Sequence, residues 1–502
     1  MSTSQIARPA EPPVPGRSEA PLFPDHVRTT ASRWIEQLAL PFLVLLQVLL
    51  SLRLSNTAFE DEALYVQAGR DLLEHWRTGA YVVELGSYFS GAPAAYPVLA
   101  GLLDEVGGLG LVRAFSLACI VVTMLCVRSI TAQLFDRTAG DLAAFAFAVT
   151  GPVVLVSTLA TFDALCLMLL AVALWLGLTR TSVASTLLAG LALAGAAVVK
   201  YTGAAFIPVV LGVALLAARR QTGRKALLRM GIAAVVTVTT LIALYALWGE
   251  RVHKGIFFTT TGREALDAAP LSLLLDYVVK DIGLLLVLAL LGGVFVTRSL
   301  RSTLFLLGLF AGGSGLVLSQ MYLGEAVSFE KHMAYSALFL APLAGRALAA
   351  LAKPTMEVVL LAMLMGTLLV SGVTRSQAMY EWPNMERVLA EVEAQDLRPG
   401  QYFSTQSLTL GYYTKPDHPQ VQWSGHYDLA AADLAAVEKA VNERTYEMII
   451  VSADSSGNSR IGAQMEALRE AALDSPHYEL IAEPFPVEGW IDEDWYIFQL
   501  DR

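Results

Sequence analysis

IEQLALPFLVLLQVLLSLRL (35–54) is followed at once by SNTAFEDE (55–62). The first stretch has the roughly 20 mostly apolar residues that a helix needs to cross a bilayer, and it is too long for the apolar part of a cleaved signal peptide. Three acids, Glu60, Asp61 and Glu62, stand where that helix would leave the membrane. We therefore expect a retained span that ends at a cluster of carboxylates.

Apolar segments of this kind recur along the sequence. The chain is 55% hydrophobic and only 16% charged, against about 25% charged in soluble domains. Arg and Lys collect in alternate turns between the segments, which predicts a cytoplasmic N-terminus and places loops 55–107 and 249–272 outside the cytoplasmic (inner) membrane. The eleven predicted spans are 35–54, 108–127, 139–159, 162–178, 183–199, 202–218, 227–248, 273–297, 301–320, 332–351 and 355–374.

The last quarter of the chain has a different composition. Residues 381–502 hold 22 Asp and Glu against 8 Lys and Arg, a net charge of −14, although the whole chain carries only −10. Helical patterns at 385–395 and 429–444 alternate with apolar strand patterns at 448–452 and 495–500, which indicates an α/β fold. The predicted organisation is a disordered cytoplasmic tail (1–33), an α-helical polytopic membrane domain (34–375) and an extracytoplasmic α/β domain (376–502).

The carboxylate cluster allows two interpretations. A charge at the membrane surface is unfavourable unless it faces a cavity or a partner, which favours a functional role. Alternatively, Asn56 or Thr57 caps a helix running from about Asp61 to Trp76, and acids favour the first turn of a helix.

Asp163 and Lys200 interrupt apolar sequence at two other predicted outer turns. Asp163 either assists catalysis and binds a hydroxyl or simply caps the following span. Lys200 either binds a phosphate or extends to the interface as an ordinary surface lysine.

Further polar residues lie on the same predicted side. His253 beside Glu84 could hold a divalent metal, although a single His without ligand spacing is a weak pattern. Asp276 and Lys280 have the spacing of a helical ion pair. Candidate phosphate ligands are His253, Lys254, Arg263, Lys331 and His332.

The aromatic residues of the C-terminal domain also allow two interpretations: they stack on sugars of an acceptor, or they fill the core of a small α/β domain. They are Tyr412, Tyr413, Trp423, His426 and Tyr427. Nucleic-acid binding is disfavoured by the negative net charge, and the sequence has no P-loop, GxGxxG or serine-hydrolase motif.

Several short motifs together resemble a known family. FEDEALYVQAGRDLL (59–73), GAPAAYP (91–97), ATFDAL (160–165), VKYTG (199–203) and EKHMAYSALFLAPLAG (330–345) are similar to motifs of GT-C membrane glycosyltransferases. The similarity is greatest to glycosyltransferase family 39, which includes protein O-mannosyltransferases and lipid A aminoarabinose transferases.

The resemblance implies a GT-C fold, an active site at the outer face and a polyprenyl-phosphate sugar as donor. It implies that Asp61 deprotonates the acceptor hydroxyl, with Glu62 as substitute or orienting group, while Asp163 assists. Lys200 lies in a VK pattern that recurs in the family and is the first candidate for binding the donor phosphate. Arg263, Lys331 and His332 are further candidates for the same role, although the cations could instead form an ordinary interfacial face. Tyr96, His253 and Trp423 are the candidate contacts for acceptor or sugar, and the acceptor is a lipid, an envelope glycan or a protein.

Two other functions would fit a bundle of spans. A transporter or flippase of lipid-linked sugars is disfavoured because its charges usually lie at the bilayer midplane, whereas here they collect at one face. A membrane-anchored binding protein would not need eleven spans.

Overall fold

The computed structural model describes residues 30–82, 89–217, 223–260, 268–296, 299–352, 355–380, 382–429, 434–453, 459–489 and 493–501. Residues 1–42 and 43–502 form two separate units. The second unit holds the sheet and every helix after the first. The predicted tail of residues 1–33 lies almost entirely outside the described residues.

Helices make up most of the described chain. They are α1 (Thr30–Ser51), α2 (Glu60–Thr78), α3 (Tyr96–Leu134), α4 (Arg137–Ala148), α5 (Gly151–Thr158), α6 (Phe162–Thr179), α7 (Val183–Val199), α8 (Gly203–Ala217), α9 (Gly223–Thr260), α10 (Leu271–Val294), α11 (Leu300–Leu323), α12 (Phe329–Leu351), α13 (Thr355–Ala378), α14 (Glu386–Glu393), α15 (Ser407–Thr414), α16 (His426–Leu429), α17 (Leu434–Asn442) and α18 (Ser459–Asp474).

The chain is a multi-pass membrane protein. In the described ranges, six helices are long and apolar enough to cross a membrane, namely α3, α6, α9, α11, α12 and most of α13. The pair α4 and α5, bent by 66°, would make a seventh. The apolar segment predicted as a span at 139–159 is thus a bent helix pair, because Pro152 lacks the N–H that would continue α4 and instead occupies the first turn of a new helix. Eleven crossings remain a prediction.

Helix α12 lies at the centre of the bundle. Its apolar window is 83% buried, whereas that of α9 is 17% buried. Glycines let its neighbours approach: a Cβ on Gly345 would meet the carbonyl oxygen of Ala139 at 2.4 Å, and one on Gly292 would meet that of Leu343 at 1.9 Å. Helix α12 therefore packs closely against α4 and α10 near Leu343 and Gly345.

One loop prediction is confirmed and another differs from the structure. The short helix expected near Tyr96 is present, because α3 consists of two helices joined at a kink, where the backbone is non-helical at Gly107 and Gly108. The predicted outer loop 249–272 is helical as far as Thr260, because α9 continues past a break at Trp248.

The C-terminal segment folds as the predicted α/β structure. Its strands are β1 (Gly400–Ser404), β2 (Val421–Ser424), β3 (Tyr446–Ser452), β4 (Tyr478–Leu480), β5 (Phe485–Val487) and β6 (Glu493–Leu500). They form one sheet in the order β2-β1-β3-β6-β4, with β5 also paired to β6. Strand β1 is parallel to β2 and β3, whereas β6 is antiparallel to β3, β4 and β5.

The alternation of side chains along β3 explains the two layers around this sheet. Met448 and Ile450 belong to one buried cluster, and Ile449 and Val451 belong to another on the opposite face. The predicted strands at 448–452 and 495–500 are the neighbouring strands β3 and β6.

Candidate active site

The start of α2 is held by Glu62. The residue before the helix is Phe59, whose N–H donates to Glu62 Oε2 at 2.9 Å. Asn56 Nδ2 donates to the carbonyl of Trp382 at 2.7 Å, and the indole N–H of Trp382 donates to the carbonyl of Thr57 at 3.1 Å. The interpretation of Asn56 or Thr57 as the helix cap is therefore wrong, because Phe59 occupies the cap position.

Glu62 is buried and its two oxygens accept four hydrogen bonds. Arg113 donates to Oε1 at 3.0 Å and to Oε2 at 2.6 Å. The N–H of Ala160 donates to Oε1 at 2.6 Å, and Phe59 supplies the fourth bond. With no exposed side-chain surface, Glu62 ties α2 to α3 and to the segment before α6. These contacts argue against Glu62 as an alternative base.

Asp61 has a different environment although it is the adjacent residue. Lys331 Nζ donates to Asp61 Oδ2 at 2.5 Å and lies 4.7 Å from the ring centroid of Phe59. The Asp61 side chain is 34% exposed. Its other oxygen, Oδ1, has no hydrogen-bond partner among the described residues. One oxygen is thus oriented by a lysine, on a side chain that is partly exposed.

The third carboxylate of the cluster, Glu60, is partly buried at the first position of α2. Burial and the neighbouring charge of Asp61 raise the pKa of Glu60 to about 8. At neutral pH the proton therefore stays mainly on Glu60.

Asp163 and Lys200 form a second acid–lysine pair. Lys200 Nζ donates to Asp163 Oδ1 at 2.5 Å, and both side chains are almost fully buried. Thr161 is the N-cap residue of α6 and Asp163 lies in the first turn, so the interpretation of Asp163 as a cap is wrong. Lys200 does not extend to the interface either, because its ammonium lies 5.0 Å from the ring centroid of Phe162 inside the bundle.

The first turn of α12 connects the two pairs. Lys331 binds Asp61, and the next residue, His332, lies with Nε2 at 2.8 Å from Lys200 Nζ. Five residues predicted from sequence are thus brought together. We call them the acid–lysine cluster: Asp61, Asp163, Lys200, Lys331 and His332.

The GAPAAYP motif holds the turn that carries Lys200. The N–H of Ala92 donates to the carbonyl of Val198 at 2.9 Å. A Cβ on Gly91 would meet the carbonyl oxygen of Val199 at 1.9 Å, so only glycine permits this approach. The motif therefore acts on the site by packing against the backbone beside Lys200.

The C-terminal segment binds the residues that precede Asp61. The hydroxyl of Tyr413 accepts a hydrogen bond from the N–H of Ala58 at 3.0 Å, and Thr409 Oγ1 donates to the carbonyl of Ala58 at 3.1 Å. Both backbone polar groups of the buried residue Ala58 are thus satisfied by α15. Helix α15 of the C-terminal segment therefore contacts the stretch that immediately precedes Asp61.

A second contact joins the same two regions. Tyr412 donates its hydroxyl proton to Asp104 Oδ1 at 2.7 Å. The guanidinium of Arg70 lies 4.7 Å from the ring centroid of Tyr412 and also pairs with Asp104. Tyr412 therefore belongs to the buried cluster of the membrane domain, and the interpretation that it fills the α/β core is wrong. Tyr413 packs against both that cluster and the core of the α/β segment.

Trp423 does belong to the α/β segment, as the core-filling interpretation expects. Its indole N–H donates to Thr414 Oγ1 at 2.9 Å, and its ring lies 5.3 Å from that of Tyr402. His426 is half-buried in α16, and the side chain of Tyr427 lies outside the described residues. These contacts place Trp423 in packing and give no support to its suggested role in sugar contact.

The remaining predicted site residues do not join the acid–lysine cluster. Tyr96 is buried between the rings of Tyr65 and Phe162. His253 is exposed on α9, and the described residues contain no group of three His, Cys, Asp or Glu placed to hold a metal ion. Glu84 and Arg263 lie outside the described residues, so the phosphate-binding role of Arg263 stays a prediction.

Two ion pairs among these candidates lie within single helices. Lys254 lies 3.1 Å from Glu250 in α9. The ion pair predicted between Asp276 and Lys280 is confirmed, at 2.6 Å with both side chains about half exposed.

Sequence reasoning missed several residues that contact this site, among them Tyr335, whose hydroxyl donates to Asp163 Oδ1 at 3.3 Å. Arg113 pairs with Glu62, and its signal was a charge inside the predicted span 108–127. Gln320 contacts His332 at 2.7 Å, and an uncharged residue at the end of an apolar segment carries no comparable signal.

The architecture is similar to that of solved membrane transferases over nearly the whole chain. ArnT from Cupriavidus metallidurans, solved with bound undecaprenyl phosphate, superposes with a TM-score of 0.58 at 14% identity, covering 93% of this chain and 98% of that one. The chain has the GT-C fold. The resemblance drawn from the sequence motifs is thereby confirmed at the level of the fold.

Two further GT-C structures extend the similarity. The archaeal oligosaccharyltransferase AglB from Archaeoglobus fulgidus, solved with an inhibitory peptide and a dolichol phosphate, gives a TM-score of 0.56 at 12% identity, covering 90% of this chain and 73% of that one. The arabinofuranosyltransferase AftD from Mycobacteria gives 0.51 at 17% identity, covering 94% of this chain and 40% of that one.

The sequence comparisons are narrower. The family model for dolichyl-phosphate-mannose-protein mannosyltransferase matches residues 104–248, which include Asp163 and Lys200. No curated protein sequence matches the chain significantly.

Proposed function

We propose that this GT-C chain is an inverting glycosyltransferase that moves a sugar from a polyprenyl phosphate to the hydroxyl of a lipid, an envelope glycan or a protein. We place the reaction at the outer face of the cytoplasmic membrane, as the distribution of Arg and Lys predicts. The observation that carries the proposal is the contrast within FEDE (59–62). Both oxygens of Glu62 accept hydrogen bonds from the protein, whereas Asp61 is partly exposed and only its Oδ2 is bonded, to the buried Lys331.

Asp61 is the proposed general base. Lys331 fixes Oδ2 at 2.5 Å and leaves Oδ1 to accept a proton from the acceptor hydroxyl. As it loses this proton, the acceptor oxygen attacks the anomeric carbon. The bond from that carbon to the phosphate oxygen breaks, and the polyprenyl phosphate leaves with the bonding electrons. Attack opposite the leaving group inverts the anomeric centre.

Lys200 is the proposed contact for the leaving phosphate. Its ammonium has three N–H bonds, of which Asp163 and His332 accept two. The third is the proposed donor to a phosphate oxygen, whose charge grows as the bond to the sugar breaks. Asp163 then serves to keep Lys200 charged and oriented inside an apolar bundle.

The test measures donor turnover by the purified, full-length protein in nanodiscs. A panel of radiolabelled polyprenyl-phosphate sugars is incubated with candidate acceptors, and free polyprenyl phosphate and glycosylated product are quantified. Asp61→Asn keeps the shape of the side chain but removes the base, so we expect a rate reduced by about 10²- to 10⁴-fold. Asp276→Asn is the matched control, because Asp276 lies in an exposed pair on α10 and should leave the rate unchanged.

Two outcomes would overturn the proposal. A wild-type protein that turns over no donor of the panel is not such a transferase, and one that carries intact donors across the bilayer without cleaving them is a flippase. Undiminished transfer by Asp61→Asn would remove Asp61 from the role of base.

A further inference from the structure

His332 lies between a charged and a neutral partner inside the bundle. Its Nε2 is 2.8 Å from Lys200 Nζ, and its Nδ1 is 2.7 Å from Gln320 Oε1. All three side chains are at least nine-tenths buried. Their hydrogen-bond directions are therefore set by protein groups.

The orientation of Gln320 follows from its other contact. Its Nε2 donates to the carbonyl oxygen of Val327 at 3.2 Å. Since a carbonyl only accepts, the end of the amide facing Val327 must be the NH₂ group. The amide oxygen then faces His332, and because that oxygen also only accepts, Nδ1 of His332 must carry a hydrogen.

The hydrogen on Nδ1 determines whether Nε2 of His332 donates to Lys200 or accepts from it. With the hydrogen on Nδ1, a neutral imidazole has a bare lone pair on Nε2 that accepts from the ammonium. A second proton on Nε2 would place two donors and two positive charges 2.8 Å apart, which burial would make strongly unfavourable. The neutral Nδ1–H tautomer is the form that fits.

We propose that Gln320 is a positioning residue for the donor phosphate. It holds His332 in the neutral Nδ1–H tautomer, and His332 together with Asp163 fixes the ammonium of Lys200 so that its third N–H faces the phosphate. The link to phosphate rests on the function proposed above. The assignment of the tautomer stands on the contacts of Gln320 alone.

Charged and titratable groups approach His332 from several elements. On α12 they are Glu330, Lys331 and Tyr335, whose ring centroid lies 6.2 Å from that of His332. From α6 and from the end of α7 come Asp163 and Lys200. A carboxylate introduced at 320 would add a negative charge against Nδ1 and favour a doubly protonated imidazole.

The first experiment needs no variant. Solid-state NMR of protein labelled with ¹⁵N-histidine distinguishes the two ring tautomers and the cation, and His332→Gln identifies the signal by its loss. We expect a neutral Nδ1–H ring at neutral pH. An Nε2–H tautomer or a charged ring in the wild type would overturn the proposal whether or not the protein is a transferase.

The second experiment measures binding of undecaprenyl phosphate to the full chain in nanodiscs. Gln320→Glu should raise the Kd about tenfold or more, because it disturbs the charge-assisted hydrogen bond from Lys200 to His332. The loss of affinity should grow toward acid pH. Gln320→Met, which keeps a similar volume but accepts no hydrogen bond from Nδ1, should also raise it, without the added pH dependence. Gln377→Glu makes the same charge change at an exposed position that faces Arg53 and should leave the Kd unchanged.

The outcomes separate the two proposals. Equal binding by wild type, Gln320→Glu and Gln320→Met would overturn the role of Gln320 and leave the transferase proposal intact. If the wild type neither binds the lipid nor turns over a donor, the transferase proposal and the phosphate-positioning role fail together, while the NMR result still decides the tautomer.

Discussion

Asp61 meets Lys331 at the same 2.5 Å at which Asp163 meets Lys200, yet the side chain of Asp61 is 34% exposed and that of Asp163 only 3%. Water can hydrate the first carboxylate when its lysine moves away, and a substrate hydroxyl can reach it. The carboxylate of Asp163 is buried in the bundle, where its charge and that of Lys200 stabilise each other. The same pair of residue types can therefore serve catalysis in one place and electrostatic support in the other.

The largest loss of stability is expected when the buried pair of Asp163 and Lys200 is broken. Lys200→Met leaves the Asp163 carboxylate buried without its cation, which should lower the free energy of unfolding by about 3–5 kcal/mol. Lys331→Met should lower it by about 1 kcal/mol or less, because Asp61 is partly hydrated. Unfolding of both purified variants in the same detergent measures the difference.

A double variant controls this comparison. Adding Asp163→Asn to Lys200→Met removes the stranded charge and should recover most of the lost stability. If Lys200→Met and Lys331→Met lower the free energy of unfolding equally, burial does not make the two pairs differ in stability.

A smaller effect concerns how Asp61 is held. Tyr413→Phe leaves the buried N–H of Ala58 without its acceptor, at a cost of about 1–2 kcal/mol, and should also lower kcat because the segment before Asp61 loosens. Tyr478→Phe is the matched control: its hydroxyl donates to the carbonyl of Tyr446 within the α/β sheet. It should lose comparable stability and keep full kcat, and a parallel loss of kcat in both variants would contradict the link to Asp61.

A pH-dependent effect sharpens the contrast among the three neighbouring acids. Burial and the charge of Asp61 raise the pKa of Glu60 from 4.5 to about 8, so the folded protein holds a proton that the unfolded chain releases between these values. The corresponding stability is fully present below pH 4.5 and is lost as the pH rises through 8. Glu60→Gln should therefore unfold at a higher temperature than wild type at pH 8.5 and at a similar one at pH 4.5. Parallel unfolding curves across that window would contradict the assignment.

The smallest effect is expected at an exposed pair. Asp276→Asn removes the contact with Lys280 on α10, where both side chains are about half exposed, and should change the free energy of unfolding by less than about 0.5 kcal/mol. A loss as large as that of Lys200→Met would refute the dependence on burial.

The sequence was sufficient to predict the members of the acid–lysine cluster because each stands as a charge or imidazole beside an apolar segment. Their pairing could not be predicted, since Lys331 lies 270 residues from Asp61 and His332 lies 132 from Lys200. The family resemblance supplied their shared role. The fold itself followed from repeated apolar segments. The ends of these segments remained uncertain where helices bend, as at Pro152, or continue beyond the predicted span, as in α9.

Residues that hold the site were harder to find. Asp104 and Tyr412 bind each other across 308 residues, and no local pattern relates an acid in α3 to a tyrosine near a small sheet. The core-filling interpretation failed for Tyr412 because composition does not show which surface a ring meets.

The attachment of Ala58 to Tyr413 also sets an order of assembly. The two residues are 355 positions apart, so at about 5–20 residues per second a ribosome adds Tyr413 roughly 20–70 s after Ala58. During that interval the nascent chain contains every acid of FEDE but not the hydroxyl that holds the peptide before them. The proposed base is therefore held in position only when the C-terminal segment has been made and has folded. An unfinished chain already in the membrane does not yet have its proposed catalytic site fully positioned.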